Sequence, residues 1–546
     1  MTISKSSAVP LKRSWLTNRA RASWHSSMVT AFQPFCLPKY SLRAVSFVKC
    51  VINSGVRITK EASMIETQGT GTTSAHYRRM GRGECEKIHE ASLEILWRTG
   101  IEVHDEKAMA LLVKAGASAD GIRVRLPEHL VTKALNTAPK TMTLYNRAGK
   151  VAMRAGGHAS HFGGGSDCLN ILDHRTGQRR RPVLKDVMEA TRLMDALPEI
   201  DFVMSAFLPE DADQQIYDRY QMEVMLNNTT KPIVFVTPDF EGCAAAVEMC
   251  EAAAGGVQSF RRRPFATCYI NVTSGMTANA EALQKCMYLA EKGLPQLYIP
   301  LNAGGVNSPT TTAGCMASMN AGTLLGIVLS QLVCPGAAVA VPGWNGGPYN
   351  LQTMVGNYVL AEEQGVAIEM GKYYNLPVFG LGGCTDSKVL DQQCGAEVML
   401  SLMTSLLHGA NIVHDVGFMD AGMQGSMQIM AIANDLLGFL RASTRGVAVT
   451  DEALALDVID ELGPSGDYLS HDHTMTHYRQ TYYSKLADKN PYSVWMEQGG
   501  TTMEQRAAAL VDEILESHTP EPLPADVQRE LKKIVEREQA WSDGKG

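Results

Sequence analysis

The sequence predicts an α/β chain that closes as a (β/α)8 TIM barrel, with an N-terminal helical cap and a C-terminal helical extension. Three observations predict it. Short apolar runs recur eight times between residues 158 and 418, each followed by a stretch of helical period, the alternation expected of parallel strands joined by crossover helices. The repeat fills about 260 residues, close to the ~250 typical of a barrel. Finally, "HFGGGSDCLN", which ends the first run, has glycines but not the G-x-G-x-x-G spacing that a doubly wound dinucleotide-binding sheet would place there.

The elements follow in order. Residues 1–63 hold ten Lys or Arg and one acid, Glu61, a net +9 that leaves −16 for the remainder. This basic, Ser-rich stretch has a transit-peptide composition without a sustained amphipathic period, and it reads as a disordered leader before a working protein that begins near Met64. From 64 to 150, segments such as "CEKIHEASLEILWRTG" and "DEKAMALLVKAG" have the apolar spacing of amphipathic helices and form the cap. The barrel proper, 151–445, contains the runs 158–165, 200–209, 231–238, 264–274, 294–302, 336–345, 376–383 and 410–418. Intervening helices such as "EALQKCMYLAEKG" and "GAEVMLSLMTSLLHG" end in the glycine expected of a helix stop. The tail, 446–546, is mostly helical and packs on the barrel wall.

Composition removes several function classes. The acidic body argues against nucleic acid as a partner. The stretch 323–344 is the longest apolar one, but Ser330, Gln331 and Pro335 interrupt it, so it reads as a buried helix running into a buried strand and not as a membrane span. Twelve scattered cysteines with no C-x-x-C pair fit reduced thiols in a cytoplasmic protein.

In a barrel of this kind the active site forms at the C-terminal ends of the strands. The residues just past each run are Gly163 to Ser166 with Asp167, Ser205, Thr237, Asn271 with Thr273, Asn302, Trp344 with Asn345, Thr385 with Asp386, and His414 with Asp415. These ends show neither a metal-ligand spacing nor a phosphate grip, and Lys and Arg are missing from them. His471, His473 and His477 lie outside the strand ends and read as a polar or capping group. The positive signal is aromatic. Trp344 and Tyr349 share one glycine-rich loop, and Phe379 and Phe418 stand on the next two runs. Aromatic faces with few cations beside them suit a quaternary ammonium, because cation–π attraction strengthens once water is excluded.

Several blocks, in order, resemble the trimethylamine methyltransferase family from about residue 80 to the end: "HFGGGSDCLNILDHRTGQRRRPVLKDVMEATRLMDALPEIDFV", "PVFGLGGCTDSKVLDQQCGAE", "GANIVHDVG" and "SHDHTMTHYR" with "YSVWMEQGGTTMEQRA". The resemblance implies the same barrel and a methyl transfer from a methylated amine to the cobalt(I) of a separate corrinoid protein. No cofactor would be tightly bound, since the corrinoid (cobalamin) belongs to that partner. Archaeal trimethylamine enzymes carry pyrrolysine in the loop where this chain has Gly382, Gly383, Cys384 and Thr385. Members without it resemble the glycine betaine branch.

The resulting expectation is a cytoplasmic, homo-oligomeric enzyme for a quaternary amine, glycine betaine first, with proline betaine, carnitine or another methylamine as alternatives. A non-catalytic betaine-binding barrel is the alternative from another class. Trp344 and Tyr349 would cage the ammonium, with Phe379, Phe418 and the thiol of Cys384 lining the pocket. His414 with Asn271 or Asn302 would hold the substrate carboxylate, and Asp386 would orient the loop or counter the ammonium charge. His414 and Asp386 are thus the expected catalytic pair. The glycines at 382 and 383 would leave room for the larger substrate.

Overall fold

The computed structural model describes residues 77–545 apart from 345, 361, 362 and 364. The leader, 1–63, and the first part of the cap, 64–76, lie outside the described residues.

Seven parallel strands make one sheet: β1 (His161–Phe162), β2 (Ile233–Phe235), β3 (Ala266–Val272), β4 (Gln296–Pro300), β5 (Val339–Pro342), β6 (Val378–Leu381) and β7 (Ile412–His414). Their spatial order is β1-β7-β6-β5-β4-β3-β2. Each falls inside one of the apolar runs. The remaining run, 200–209, contributes two bridges: Phe202 pairs in parallel with Gly163 beside β1, and Val203 with Ile233 of β2. Pairing thereby passes from one edge of the sheet to the other, and the fold is mixed α/β and TIM-barrel-like.

A helix follows each of these segments, from Leu184–Ala196 after β1 to Met427–Thr444 after β7. Side chains fix their starts. Asp239 accepts from the Gly242 amide at 2.7 Å and Asp391 from the Cys394 amide at 3.0 Å, giving first-turn N–H groups the partners that the helix itself lacks. Gly293 and Gly409 stop two helices in the left-handed conformation. The helix Thr312–Val333 is long and apolar enough to cross a membrane, yet its most apolar window is 89% buried within the protein.

Period-two alternation sends Phe202, Val234, Tyr269, Leu297, Ile299, Ala340, Phe379 and Ile412 into one buried cluster inside the barrel. Met142, Leu144, Met153 and Ala155 complete it. They come from the antiparallel pair Met142–Tyr145 and Val151–Ala155. Tyr145 and Arg147 donate their amides to the carbonyls of Pro264 and Thr230, just before β3 and β2. The hairpin therefore plugs the N-terminal ends of the strands, and the C-terminal ends stay available for chemistry.

Before the barrel lie the helices Arg82–Glu94, Glu106–Ala115 and Glu128–Thr137, the first and third packed on Thr312–Val333. After it, Met503–Ser517 packs on Met427–Thr444 and Leu184–Ala196, and Ala525–Lys545 packs on Tyr217–Asn228 and Phe240–Ala253. His471, first of the tail histidines, caps the short helix Asp472–His477 by accepting from the His473 amide at 3.0 Å.

Candidate active site

The loop that follows β5, 343–365, covers the C-terminal mouth. Its sequence holds nine residues of Gly, Asn or Pro, so it has no regular structure of its own and depends on tethers. Asp386, just past β6, supplies two: Oδ1 accepts from the Tyr358 amide at 2.8 Å and Oδ2 from the Val359 amide at 3.0 Å. Asp386 is itself held, since its amide donates to Glu397 Oε2 at 2.7 Å. A second seam joins the loop to the end of β4, where Gly304 donates to Gly347 O and Tyr349 to Gly304 O.

Beneath the loop is a cavity of about 200 Å³, smaller than the ~300 Å³ lower limit common for drug-sized ligands. Trp344, Tyr349 and Tyr358 line it, with Leu301, Leu381, Ile368, Asn357, Ser405 and Glu363. Under Trp344 the barrel interior continues as an aromatic stack. His414 lies on Phe379 with ring centres 4.1 Å apart and planes 23° from parallel. Trp344 is 4.9 Å and Tyr269 5.6 Å from the His414 ring.

A buried polar chain borders this stack. His414 Nδ1 is 2.6 Å from the carbonyl oxygen of Gly380; a carbonyl only accepts, so Nδ1 carries the proton. Nε2 then faces Asp415 Oδ1 at 3.5 Å, and the Tyr358 hydroxyl donates to Asp415 Oδ2 at 2.8 Å. Burial pushes the Asp415 carboxyl above its ordinary value, with the Tyr358 hydrogen bond pulling the other way. Its backbone is left-handed, φ 71°, a conformation that costs a non-glycine residue on the order of 1 kcal/mol. Gly165 makes the turn possible from the other side: a Cβ there would sit 2.2 Å from Asp415 Oδ1 and 2.6 Å from the Phe418 ring. Gly165→Ala should therefore displace Asp415, lowering stability by about 1–3 kcal/mol and ligand affinity with it; urea midpoints and calorimetric titration would measure the two.

A second acid lies nearby. Asp167, also left-handed at φ 65°, accepts from Ser205 Oγ at 3.1 Å and Gln221 Nε2 at 2.9 Å. Burial raises its carboxyl to about 6, although both hydrogen bonds favour the ionised form. Between the unfolded value near 4 and 6, the folded chain holds a proton that the unfolded chain releases. Stability must then fall as pH rises through that window. The expected loss is about 1–2 kcal/mol, read as a larger drop in urea midpoint from pH 4.5 to 6.5 for the native chain than for Asp167→Asn.

With the geometry in place, comparison with known proteins identifies the lineage. The profile of the trimethylamine methyltransferase (MTTB) family matches residues 55–542. The chain belongs to this family. Trimethylamine methyltransferase MttB of Desulfitobacterium hafniense is 32% identical over 457 residues, covering 83% of this chain and 92% of the relative. The MttB of Methanosarcina barkeri is 28% identical over 470 residues, 83% and 94% of the two chains. A glycine betaine methyltransferase from Desulfitobacterium hafniense is 26% identical over 467 residues, 84% and 96%. Among solved structures, the monomethylamine methyltransferase MtmB of Methanosarcina barkeri superposes with TM-score 0.44 at 14% identity over 81% of this chain and 88% of that one.

Family membership leaves the site residues to be placed by geometry. Trp344 and Tyr349 meet at the cavity, and His414 and Phe379 lie directly below Trp344. Asn271, next to last in β3, comes two residues after inward-facing Tyr269, so it shares that face and is exposed at the mouth. Asn302 turns the other way: its amide is buried in the wall, donating to Cys315 O at 3.1 Å and Ser318 Oγ at 2.8 Å while accepting from Gly275 N at 2.8 Å. It has no free group for a substrate carboxylate. Asp386 has both oxygens on loop amides, the loop-orienting one of the two roles expected for it. Cys384 and Phe418 are buried behind the site, 0% and 2% exposed, and burial next to Asp415 and Asp386 pushes the Cys384 thiol well up, away from nucleophilic thiolate.

The glycines at 382 and 383 also have another purpose than clearing space. A Cβ at Gly382 would meet Val413 at 3.0 Å, and one at Gly383, where φ is +76°, would meet Val416 at 2.9 Å. They let the chain turn tightly against β7 and its continuation. Two aromatic residues escape the sequence pattern: Tyr269 sits in the middle of a mostly apolar strand, and Tyr358 lies fourteen residues beyond Trp344 on an irregular loop. The shared glycine-rich loop is the one signal that points to Tyr358.

Proposed function

We propose that the chain moves a methyl group from a quaternary ammonium ion to the cobalt(I) of a separate corrinoid protein. The observation that carries the reading is the cavity walled by Trp344, Tyr349 and Tyr358 at the strand ends, with the Asp415 carboxylate hydrogen-bonded to one of those walls. Family membership supplies the chemistry, since relatives are named for trimethylamine and for glycine betaine. A quaternary ammonium fits this site because it already bears the charge that makes its amine a leaving group, and aromatic faces hold it without a hydrogen bond.

The electron count is simple. The N–C pair stays with nitrogen, releasing a neutral tertiary amine, and cobalt supplies the pair of the new bond, becoming methylcobalt(III). Charge is annihilated as the methyl moves, so a dry, weakly polar pocket favours the step. The chain's own part is to aim one N-methyl group out of the mouth, in line for displacement. In this reading the barrel is a complete (β/α)8 unit whose open end receives the corrinoid domain, in the cytoplasm, where its cysteines remain thiols.

The test mixes the purified protein with a cobalt(I) corrinoid and offers quaternary amines and trimethylamine in turn, following the visible spectrum. Methylcobalt(III) should appear with a quaternary amine. If trimethylamine alone methylates the cobalt, the reading is wrong; calorimetric binding without methylation by a competent corrinoid protein would favour the non-catalytic barrel.

A further inference from the structure

We infer that the quaternary ammonium bound here carries no carboxylate: its fourth substituent is an alkyl or hydroxyalkyl group. The inference starts from the methyl-donor reading above and narrows its donor.

A betaine has two ends, and the site provides for one. The loop over the cavity, 343–365, contains Glu362 and Glu363 and neither Lys nor Arg. Glu363 lines the cavity, and Asp386 and Asp415 grip the lining residue Tyr358, by its amide and its hydroxyl. The nearby basic groups Lys388 and Arg179 are turned to Asp420, at 3.6 and 3.3 Å. A cation entering the cavity thus meets aromatic faces and negative charge, and every favourable term has the same sign.

A carboxylate entering with it meets the reverse. Asn302 is fully engaged in the wall. The exchangeable proton of His414 is committed to Gly380 O, and its other nitrogen stands 3.5 Å from Asp415 Oδ1. An oxyanion brought to that nitrogen would lie against Asp415 as well, and like charges in a site of restricted water cost several kcal/mol. Asn271, exposed at the mouth, is a neutral amide and offsets little of this. A hydroxyl is different, because it can donate to Glu363, which already accepts from Thr312, or to the Ser405 oxygen, whose own proton goes to Leu381 O, or pair with Asn357, all on the lining. The cavity, about 200 Å³, matches a small ion of this kind.

Isothermal titration of the full-length protein with choline, tetramethylammonium, glycine betaine and the uncharged choline isostere 3,3-dimethylbutan-1-ol tests the inference. Choline and tetramethylammonium should bind at least about tenfold more tightly than either glycine betaine or the neutral alcohol. Glu363→Gln should narrow the gap between choline and glycine betaine by weakening the first and strengthening the second. Glycine betaine binding as tightly as choline, or no binding of either cation, overturns the inference. The two readings fail separately: tight choline binding without methylation of cobalt(I) removes the methyl-transfer function and leaves the ligand class, whereas methylation from glycine betaine in preference to choline does the opposite.

Discussion

Trp344→Ala is expected to weaken choline or tetramethylammonium binding by about ten- to thirtyfold, the loss of a desolvated cation–π contact on the order of 2 kcal/mol. The ring is half-buried, between the cavity and the His414–Phe379 stack. Two effects could lower affinity in this variant, lost cation–π attraction and lost packing, and ligand charge separates them. Trp344→Leu keeps most of the apolar volume, so a neutral isostere such as 3,3-dimethylbutan-1-ol should bind that variant nearly as it binds the native chain, while the cations lose their advantage. Trp344→Phe should recover part of the cation affinity, because a smaller ring offers a weaker face. In turnover with a cobalt(I) corrinoid the loss should appear chiefly as a rise in KM, since the contact is strongest to the fully charged bound ion and fades as its charge is annihilated in the reacting one. The loop should stay closed, because its tethers run through Asp386 and the Gly304–Gly347 seam and involve no indole atom.

The difference between what the sequence shows and what it hides follows from periodicity. Apolar runs are legible because a strand buried on both faces must be continuously apolar, and all eight contain a residue of the parallel pairing. Placing a site at the strand ends is legible too, since topology fixes it. Facing is harder, because a residue just past a run has no phase until the inward set of its strand is known. Leu297 and Ile299 prove to be the inward residues of β4, so Asn302, out of phase with them, turns into the wall toward Ser318. His414, by contrast, still belongs to β7 and keeps the inward phase of Ile412. Tyr269 is hidden in a different way, for an aromatic residue inside a barrel strand reads as filler until its ring is seen 6.4 Å from Trp344. Asp386 was legible as a polar strand-end residue, but its role depends on two amides almost thirty positions away in sequence, and irregular loops have no period that would announce such a contact.

Asp415→Asn should lower cation affinity by about ten- to a hundredfold while leaving the protein as stable as before, or slightly more so. Removing one negative charge beside the cavity costs about 1–3 kcal/mol at the effective dielectric of a partly open site, which corresponds to that loss. Asparagine has the shape to keep both contacts, its oxygen accepting from Tyr358 and its NH2 donating to His414 Nε2, which the carboxylate cannot do. Because burial holds the Asp415 carboxyl above its ordinary value, the folded protein bears a cost for ionising it that the amide does not incur. The same displacement sets the pH dependence. A proton on Asp415 competes with the cation, so affinity in the native chain should fall on acidification, beginning at a higher pH than an ordinary aspartate would require, and the Asn variant should be flat over that range. Tyr358→Phe sharpens the test. The Tyr358 hydroxyl favours the ionised carboxyl, so its removal should move the acid limb of the binding profile to higher pH while leaving affinity on the alkaline plateau little changed. A structural role for the hydroxyl would weaken binding equally at every pH, and calorimetric titrations of the native chain and the two variants across the acid limb distinguish the outcomes.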